Sequence, residues 1–403
     1  PSFSVGGSTA AETNLINSDI SDDDFWAAVE SDATVGSAVS GGDDGGNGGS
    51  GDDGGCVVAT HAVSSGAFTP SMKREAVVWC MHNLHDKWWG EAIRRGYRHL
   101  GRKKIELIYL FTQMGFDILV SDVDTAWLRN PMPYMARFPQ ADVLTSSDHL
   151  SSTAVGDGLE DPSRAHSAAN IGIMLLRHSA KELAKEWVEK LEKDDKIWDQ
   201  NAFNDLFRLG AGFNQKDEDN VFAGYRGKLK IGILPVSTFA SGHTYFVTRM
   251  YEKVKQDPYV IHATFQFSGT DGKRHRLREA LVWSDPPEYY DPPGGLLSYV
   301  ADIPEDLLRH SGSIEGHFAL VNHQLLQVRA ALAFAQKLNR TLVMPKLYCG
   351  FDRWWAPHSG KIPGSDTELP YLCPMDHVFE IESWVREEND AEFGPGIDFL
   401  FHL

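Results

Sequence analysis

The stretch Ile118 to Pro133, ILVSDVDTAWLRNPMP, constrains this chain more than any other part of it. Ile118, Leu119 and Val120 form a short apolar run that reads as a buried parallel strand. The run ends at Asp122 and Asp124, two carboxylates one residue apart. Open α/β sheets bind ligands at the carboxyl ends of their strands. Paired carboxylates at such a place repel each other unless a proton or a cation intervenes. A hard divalent cation, Mn²⁺ or Mg²⁺, is the natural neutraliser, because it prefers oxygen ligands and leaves positions for water and substrate phosphates. The pattern predicts an α/β sheet with a metal site at Asp122 and Asp124 that receives a phosphorylated small molecule.

Two other readings compete. A strand followed by Asp-X-Asp also opens the haloacid-dehalogenase-type phosphatases, but these carry Thr or Val two positions after the second Asp, where this chain has Ala126. The other reading is that both aspartates cap a turn, since Asp is common in turns. What favours a site is the surrounding text: a hydrophobic strand, SDVDTAWLRNP, and then a second strand-like piece, ADVLTSSD.

The chain has 403 residues, enough for two or three domains. Residues 1–55 are rich in Gly, Ser and Asp and cannot bury enough apolar surface to offset chain entropy, so a disordered acidic tail is expected there. That tail contributes to the net charge of -18, which argues against nucleic-acid binding. The basic cluster Arg94, Arg95, Arg98, Arg102, Lys103 and Lys104 reads as a solvated helix face. The sequence contains neither an apolar run of about eighteen residues nor a charged-then-apolar leader, so no membrane segment is expected in this chain. Four cysteines, Cys56, Cys80, Cys349 and Cys373, are too few and too dispersed for a zinc site. One or two disulfides fit a secretory setting, with Cys349 and Cys373 the better pair. The sequon Asn339-Arg340-Thr341 joins an apparent helix to the strand TLVMP, a place that predicts a buried asparagine.

Order begins near Trp88. Helical spacing around Ile105 to Met114 ends at Gly115, which leads into the central strand. In AHSAANIGIMLLRHSA, Asn170 and Gly172 precede an apolar strand; the amide suits a sugar hydroxyl and the glycine leaves room for a ligand. The helix KELAKEWVEKLEKDD follows. In KIWDQNAFNDLF, Phe203 and Phe207 face the core and leave Asp199, Gln200 and Asn204 near the exposed start, where Asp199 reads equally as an N-cap or a site residue. LKIGILPVSTFASGHTYF reads as two short strands, with His243 a satisfied loop histidine. His262 ends an apolar strand and can supply a third metal ligand, imidazole favouring Mn²⁺. Gly269, Gly272 and Lys273 fall in the following loop, where a lysine suits a diphosphate.

Taken together, SDVDTAWLRNPMPYMARFPQADVLTSSD, NIGIMLLRHSAKELAKEW, WDQNAFND, GILPVSTFASGHTYF and HATFQFSGTDGKRHRLREALVWSDPPEYYDPPGG resemble the plant extensin arabinosyltransferase family, which is related to the rhamnogalacturonan xylosyltransferases. The likeness is close from Trp88 to about Pro293 and continues more weakly beyond. It implies a GT-A type, Rossmann-like nucleotide-sugar transferase fold in the Golgi lumen. The implied reaction moves a pentose, L-arabinofuranose, from a UDP-sugar onto hydroxyproline-linked glycans of cell-wall glycoproteins with retention of configuration. Asp122, Asp124 and His262 match the metal positions of that pattern. Asp122, Asn170, Gly172, Gly269 and Lys273 match substrate-binding positions, and Asp199 and Gln200 match catalytic ones.

The expected organisation is a tail over 1–55, a GT-A-like domain over 56–300 and a smaller α/β unit, expected to be incomplete, over 301–403. The ordered text ahead of Asp122 is short, and Cys56 to Asp86 shows no βαβ pattern for a uridine half. A second class is therefore kept open: a transferase-like subunit without catalysis that binds sugar or assembles a complex. In the last unit, FALVNHQLLQVRAALAFAQKLNRTLVMP reads as strand, turn, amphipathic helix and strand. This resembles the opening of a GT-B-like or fucosyltransferase-like Rossmann half in which Asn322, His323 and Arg329 would face a ligand, but the better reading is that Asn322 caps the helix and Arg329 lies on its solvated side.

Overall fold

The computed structural model describes residues 97–381 except 195, and residues 399–401. The expectations for the tail over 1–55, for Cys56 to Asp86 and for Arg94, Arg95 and the Arg98 side chain lie outside the described residues.

Helix α1 (Tyr97–Gln113) turns Ile105 and Ile108 into the core, both fully buried. It closes as expected: Gly115 adopts φ +87°, and the Phe116 amide donates to the Phe111 carbonyl. This left-handed close satisfies carbonyls that a helix end would otherwise leave open.

Eight strands follow over residues 118–262, with two helices between the fourth and the fifth. The strands are β1 (Ile118–Ser121), β2 (Thr125–Trp127), β3 (Val143–Ser147), β4 (Ala169–Leu176), β5 (Phe222–Gly224), β6 (Leu229–Ile233), β7 (Phe239–Ser241) and β8 (Val260–His262). Five of them form one mixed sheet in the order β1-β4-β3-β6-β5, and β2, β8 and β7 form a second. Within the first, only β3 and β6 run parallel. β1 is buried along its whole length, as its apolar run predicts, yet its neighbour among the described residues is the antiparallel β4. An apolar run encodes burial but not the direction of its partner. That direction is decided by the path of β4, about fifty residues further on. β4 also contains Asn170 and Gly172 within the strand rather than ahead of it.

All eight residues of β4 are buried because both faces of the sheet are covered. Ile118, Val120, Ile171 and Met174 pack with α1, α2 (Lys181–Lys193) and α3 (Asp199–Arg208), where Trp187, Phe203 and Phe207 are fully buried. Leu119, Ile173 and Leu175 point the other way, against Tyr134, Phe138 and Phe239. Each large apolar side chain buried in this way contributes roughly 1.5–3 kcal/mol relative to exposure.

Beyond β8, helix α4 (Gly269–Glu279) occupies the span expected to be a loop. A further cluster then forms around helix α5 (Ile314–Leu338) and strands β9 (Leu296–Leu297), β10 (Thr341–Met344), β11 (Leu347–Cys349), β12 (Tyr371–Cys373) and β13 (Phe399–Phe401). β10 lies between β9 and β13 with both neighbours parallel, and β11 pairs antiparallel with β12. Cys349 and Cys373 form a disulfide across that hairpin, the pair expected from the sequence. The strand expected at FALVNH is instead part of α5, which is capped by Ser313 through the Gly316 amide. Asn322 is therefore exposed in mid-helix and caps nothing. The helix has a starting signal of its own at Ser313, and a short apolar run cannot by itself separate strand from helix. Arg329 is solvated as expected, and the His323 ring is 2.7 Å from the Asp302 carbonyl oxygen. Among the described residues no helix is long and apolar enough to cross a membrane.

Candidate active site

The two aspartates leave β1 on a tight turn. The Thr125 hydroxyl donates to the Asp122 carbonyl at 2.6 Å, the Trp127 indole donates to the Ser121 hydroxyl, and the Asp122 amide donates to the Gly172 carbonyl at 2.8 Å. His262 arrives through strand pairing, because β2 and β8 align Thr125 with His262, and the Ala263 amide donates to the Asp124 carbonyl. As a result His262 Nε2 stands 3.2 Å from Asp124 Oδ1 and 3.9 Å from Asp122 Oδ2. One ligand atom from each of Asp122, Asp124 and His262 lies within 4.8 Å of the others.

This set fits a divalent cation. Ligands about 2.1 Å from an octahedral ion stand roughly 3 Å apart when adjacent; the Asp124–His262 separation of 3.2 Å is near this, and the Asp122–His262 separation of 3.9 Å is wider. Two carboxylates with one imidazole suit Mn²⁺. Two ammonium groups also face the carboxylates: Lys104 Nζ is 2.5 Å from Asp122 Oδ1, and Lys273 Nζ is 3.0 Å from Asp124 Oδ2. Lys104 is thus not on a solvated face, as its basic neighbours suggested, but buried and turned into the site. Burial opposes its charge, yet Asp122 and Asp199 outweigh that and hold its pKa above the ordinary value. Burial likewise works against the charge of Asp124, and the charges of His262 and Lys273 overcome it, so its carboxyl lies well below the usual range. The same balance raises His262: burial lowers it, and Asp124 more than compensates.

Gly172 is required by this crowding. A Cβ built there would fall 2.3 Å from His262 Cε1 and 2.7 Å from Asp122 Oδ2. Asn170 sits at an irregularity in the β3–β4 pairing, where the hydroxyls of Thr145 and Ser146 both donate to its carbonyl. Its side-chain amide donates to both oxygens of Asp148 at 2.9 and 3.0 Å, and its Oδ1 accepts from the Gly172 amide. Gln200 Nε2 adds a third donor to Asp148 at 3.2 Å. Asp148 was not singled out by its sequence, although it follows an apolar strand as Asp122 does. Burial raises its pKa against these hydrogen bonds.

Asp199 and Gln200 begin α3, with Trp198 in the N-cap position. The Asp199 carboxylate accepts from the Gln200 amide and is raised by burial, opposed by the nearby Lys104 charge. It faces Gly101 of α1, where a Cβ would meet Asp199 Oδ2 at 2.8 Å. Asn204 is buried rather than exposed and donates to the Ala169 carbonyl.

Lys273 reaches Asp124 from α4, and Gly269 is the first residue of that helix with φ +51°. His243 lies apart from the cluster. It is buried on a short π turn (His243–Val247), not in a loop, with Nδ1 3.4 Å from Asp352 Oδ2. The structure therefore gathers Asp122, Asp124, His262, Lys273, Gly172, Asn170, Asp199 and Gln200 at one end of the sheet, and adds Lys104 and Asp148.

Residues 89–277, which contain the whole constellation, match the family described as nucleotide-diphospho-sugar transferase. The particular likeness is to plant pentosyltransferases, as the motifs implied. Arabinosyltransferase XEG113 of Arabidopsis thaliana is 50% identical over 317 residues, covering 77% of this chain and 48% of that protein. UDP-D-xylose:L-fucose alpha-1,3-D-xylosyltransferase 3 of Arabidopsis thaliana is 22% identical over 228 residues, covering 50% of this chain and 56% of the relative. Arabinosyltransferase RRA1, also of Arabidopsis thaliana, is 28% identical over 196 residues, covering 44% of each. The chain thus spans about half the length of the curated relatives it matches. No solved structure matches it significantly.

Proposed function

We propose that this chain is a UDP-sugar-dependent glycosyltransferase with a GT-A type fold, transferring a pentose, L-arabinofuranose, onto hydroxyproline-linked glycans of cell-wall glycoproteins in the Golgi lumen. The observation that carries this reading is the buried Asp122, Asp124 and His262 cluster, flanked by Lys104 and Lys273, inside the matched family region. The arabinosyltransferases and UDP-xylose-dependent transferases among the relatives support pentose transfer, and the motif resemblance supplies L-arabinofuranose and the hydroxyproline-linked acceptor. The reading divides the chain into a transferase unit over 56–300 and a smaller α/β unit over 301–403.

Asp122, Asp124 and His262 would hold Mn²⁺ or Mg²⁺, which supplies Lewis-acid stabilisation to the leaving diphosphate when bound. Lys273, on the first turns of α4, adds positive charge where the phosphate oxygens become more negative. Lys104 pairs with Asp122 at 2.5 Å and fixes it in place. Asp148 accepts hydrogen bonds from sugar hydroxyls, and Asn170 and Gln200 hold it ready to do so. Gly172 lets the His262 ring and the Asp122 carboxylate close over β4, and Gly269 opens the helix that carries Lys273 to the diphosphate. Asp199 and Gln200 line the side on which positive charge develops on the sugar. Retention needs no separate carboxylate base, because the acceptor proton passes to a departing diphosphate oxygen on the same face.

Calorimetric titration of UDP, with Mn²⁺ and again with EDTA, tests the reading. Metal-dependent binding is expected, together with its loss in Asp124→Asn while the circular dichroism spectrum and melting temperature stay unchanged. Equal binding by wild type in EDTA, or by the variant, would sink the metal assignment. Glycan binding without UDP or metal would favour the noncatalytic subunit instead.

A further inference from the structure

We infer that Asn339 is an N-glycosylation site. The full sequence contains one Asn-X-Ser/Thr triplet, Asn339-Arg340-Thr341. Its place between helix and strand predicted burial, but Asn339 is exposed. It closes α5 in the left-handed conformation with φ +51°, its backbone amide donating to the Gln336 carbonyl at 3.2 Å and that of Arg340 to the Ala335 carbonyl at 2.9 Å. The turn is therefore held by main-chain groups and does not require the side-chain amide. The Cys349–Cys373 disulfide in the same unit belongs to an oxidising compartment, the setting in which this modification occurs. The inference rests on the lumenal placement proposed above, but not on the donor or acceptor.

The neighbourhood gives the glycan something to cover. On α5, Phe334 and Leu338 are neighbours four residues apart and are 63% and 56% exposed, and Leu326, further up the helix, is 65% exposed. Asn339 directly follows Leu338, so a hydrophilic glycan there shields Leu338 and Phe334. Thr341, the other recognition residue, is buried in β10, whose parallel neighbour β13 comes nearly sixty residues later. Transfer must then precede completion of this sheet, as the chain is made. The donor is a lipid pyrophosphate-linked oligosaccharide. Asn339 Nδ2 forms a bond to the anomeric carbon, the anomeric C–O bond to the pyrophosphate breaks, and the lipid pyrophosphate leaves with the electron pair while the amide gives up a proton.

The test is secretory expression of the full chain behind a cleavable signal peptide, followed by intact and peptide mass spectrometry. One glycan at Asn339 is expected. It should be absent from Asn339→Gln and retained in Thr341→Ser, and the unglycosylated variant should form more aggregate. Molecules with the Cys349–Cys373 disulfide formed and Asn339 bare would overturn the inference. Protein recovered from plant Golgi membranes with free thiols and no glycan would overturn both the site and the lumenal placement, whereas UDP titration judges the transferase reading separately.

Discussion

The Asp122, Asp124 and His262 cluster depends on an atom that is missing. Gly172 lets the His262 ring and the Asp122 carboxylate meet across β4, and an alanine methyl there would overlap both. Gly172→Ala should therefore push His262 and Asp122 apart and weaken Mn²⁺ binding by roughly 10–100-fold, the range usual for disturbing the support of a metal site. Electron paramagnetic resonance titration of Mn²⁺ measures this directly, and unchanged affinity with an intact fold would show that the cluster does not need the glycine. At this scale much was legible. Asp122 and Asp124 announce themselves by following an apolar strand, and His262 by ending another. Lys104 was hidden, because a lysine among six clustered basic residues has no local mark that it turns into the site. Asp148 was hidden for a different reason: its role comes from donors on β4 and α3, which are remote in sequence.

Among the elements, α4 is the one whose existence depends most on its surroundings. GTDGKRHRLRE contains two glycines and almost no apolar residue, and glycine costs about 1 kcal/mol in a helix interior. The helix is held from the side instead. Arg276 is fully buried and pairs with the equally buried Asp376 at 2.9 Å, Asp376 also accepts from the Phe267 amide, and Glu279 accepts from the Met375 amide. Residues more than ninety positions away thus fix the helix that carries Lys273. Leaving Arg276 buried without its partner, as in Asp376→Ala, should cost about 3–5 kcal/mol. Urea unfolding reads the loss, and hydrogen exchange should show Gly269 to Glu279 opening first. Unaltered stability and protection would mean that the pair does not hold α4. The glycines made a loop the natural expectation, since local propensity cannot register a buried ion pair supplied by the other end of the chain.

Across the whole molecule, the burial of His377 where Arg276 meets residues 352–376 should make stability fall with acidity. His377 is enclosed by Asp352, Asp376, Arg276 and Arg353, and its Nδ1 is 2.7 Å from the Tyr371 hydroxyl. Burial lowers its pKa to about 4, against the raising effect of the two aspartates. Above the ordinary histidine value near 6.5 the ring is neutral in both folded and unfolded chains. As pH falls from there towards 4, the unfolded chain takes up a proton that the folded one refuses, and stability on the order of 3 kcal/mol is lost. Urea midpoints at pH 7 and pH 4.5 should differ less in His377→Gln than in wild type; equal differences would remove His377 as the cause. By itself the sequence determined the buried β1, the helices over α1, α2 and α3, the disulfide partner of Cys349, and the aspartate pair with its distant histidine. These are set by runs, spacings and residue chemistry within a few turns of chain. Only the tertiary structure decided that β1 runs antiparallel to its neighbour, that Lys104 faces inward, that α4 is a helix and that Asn339 is exposed. Each of these depends on which remote segment supplies the opposing charge, the strand edge or the cover, and short-range pattern carries no record of that.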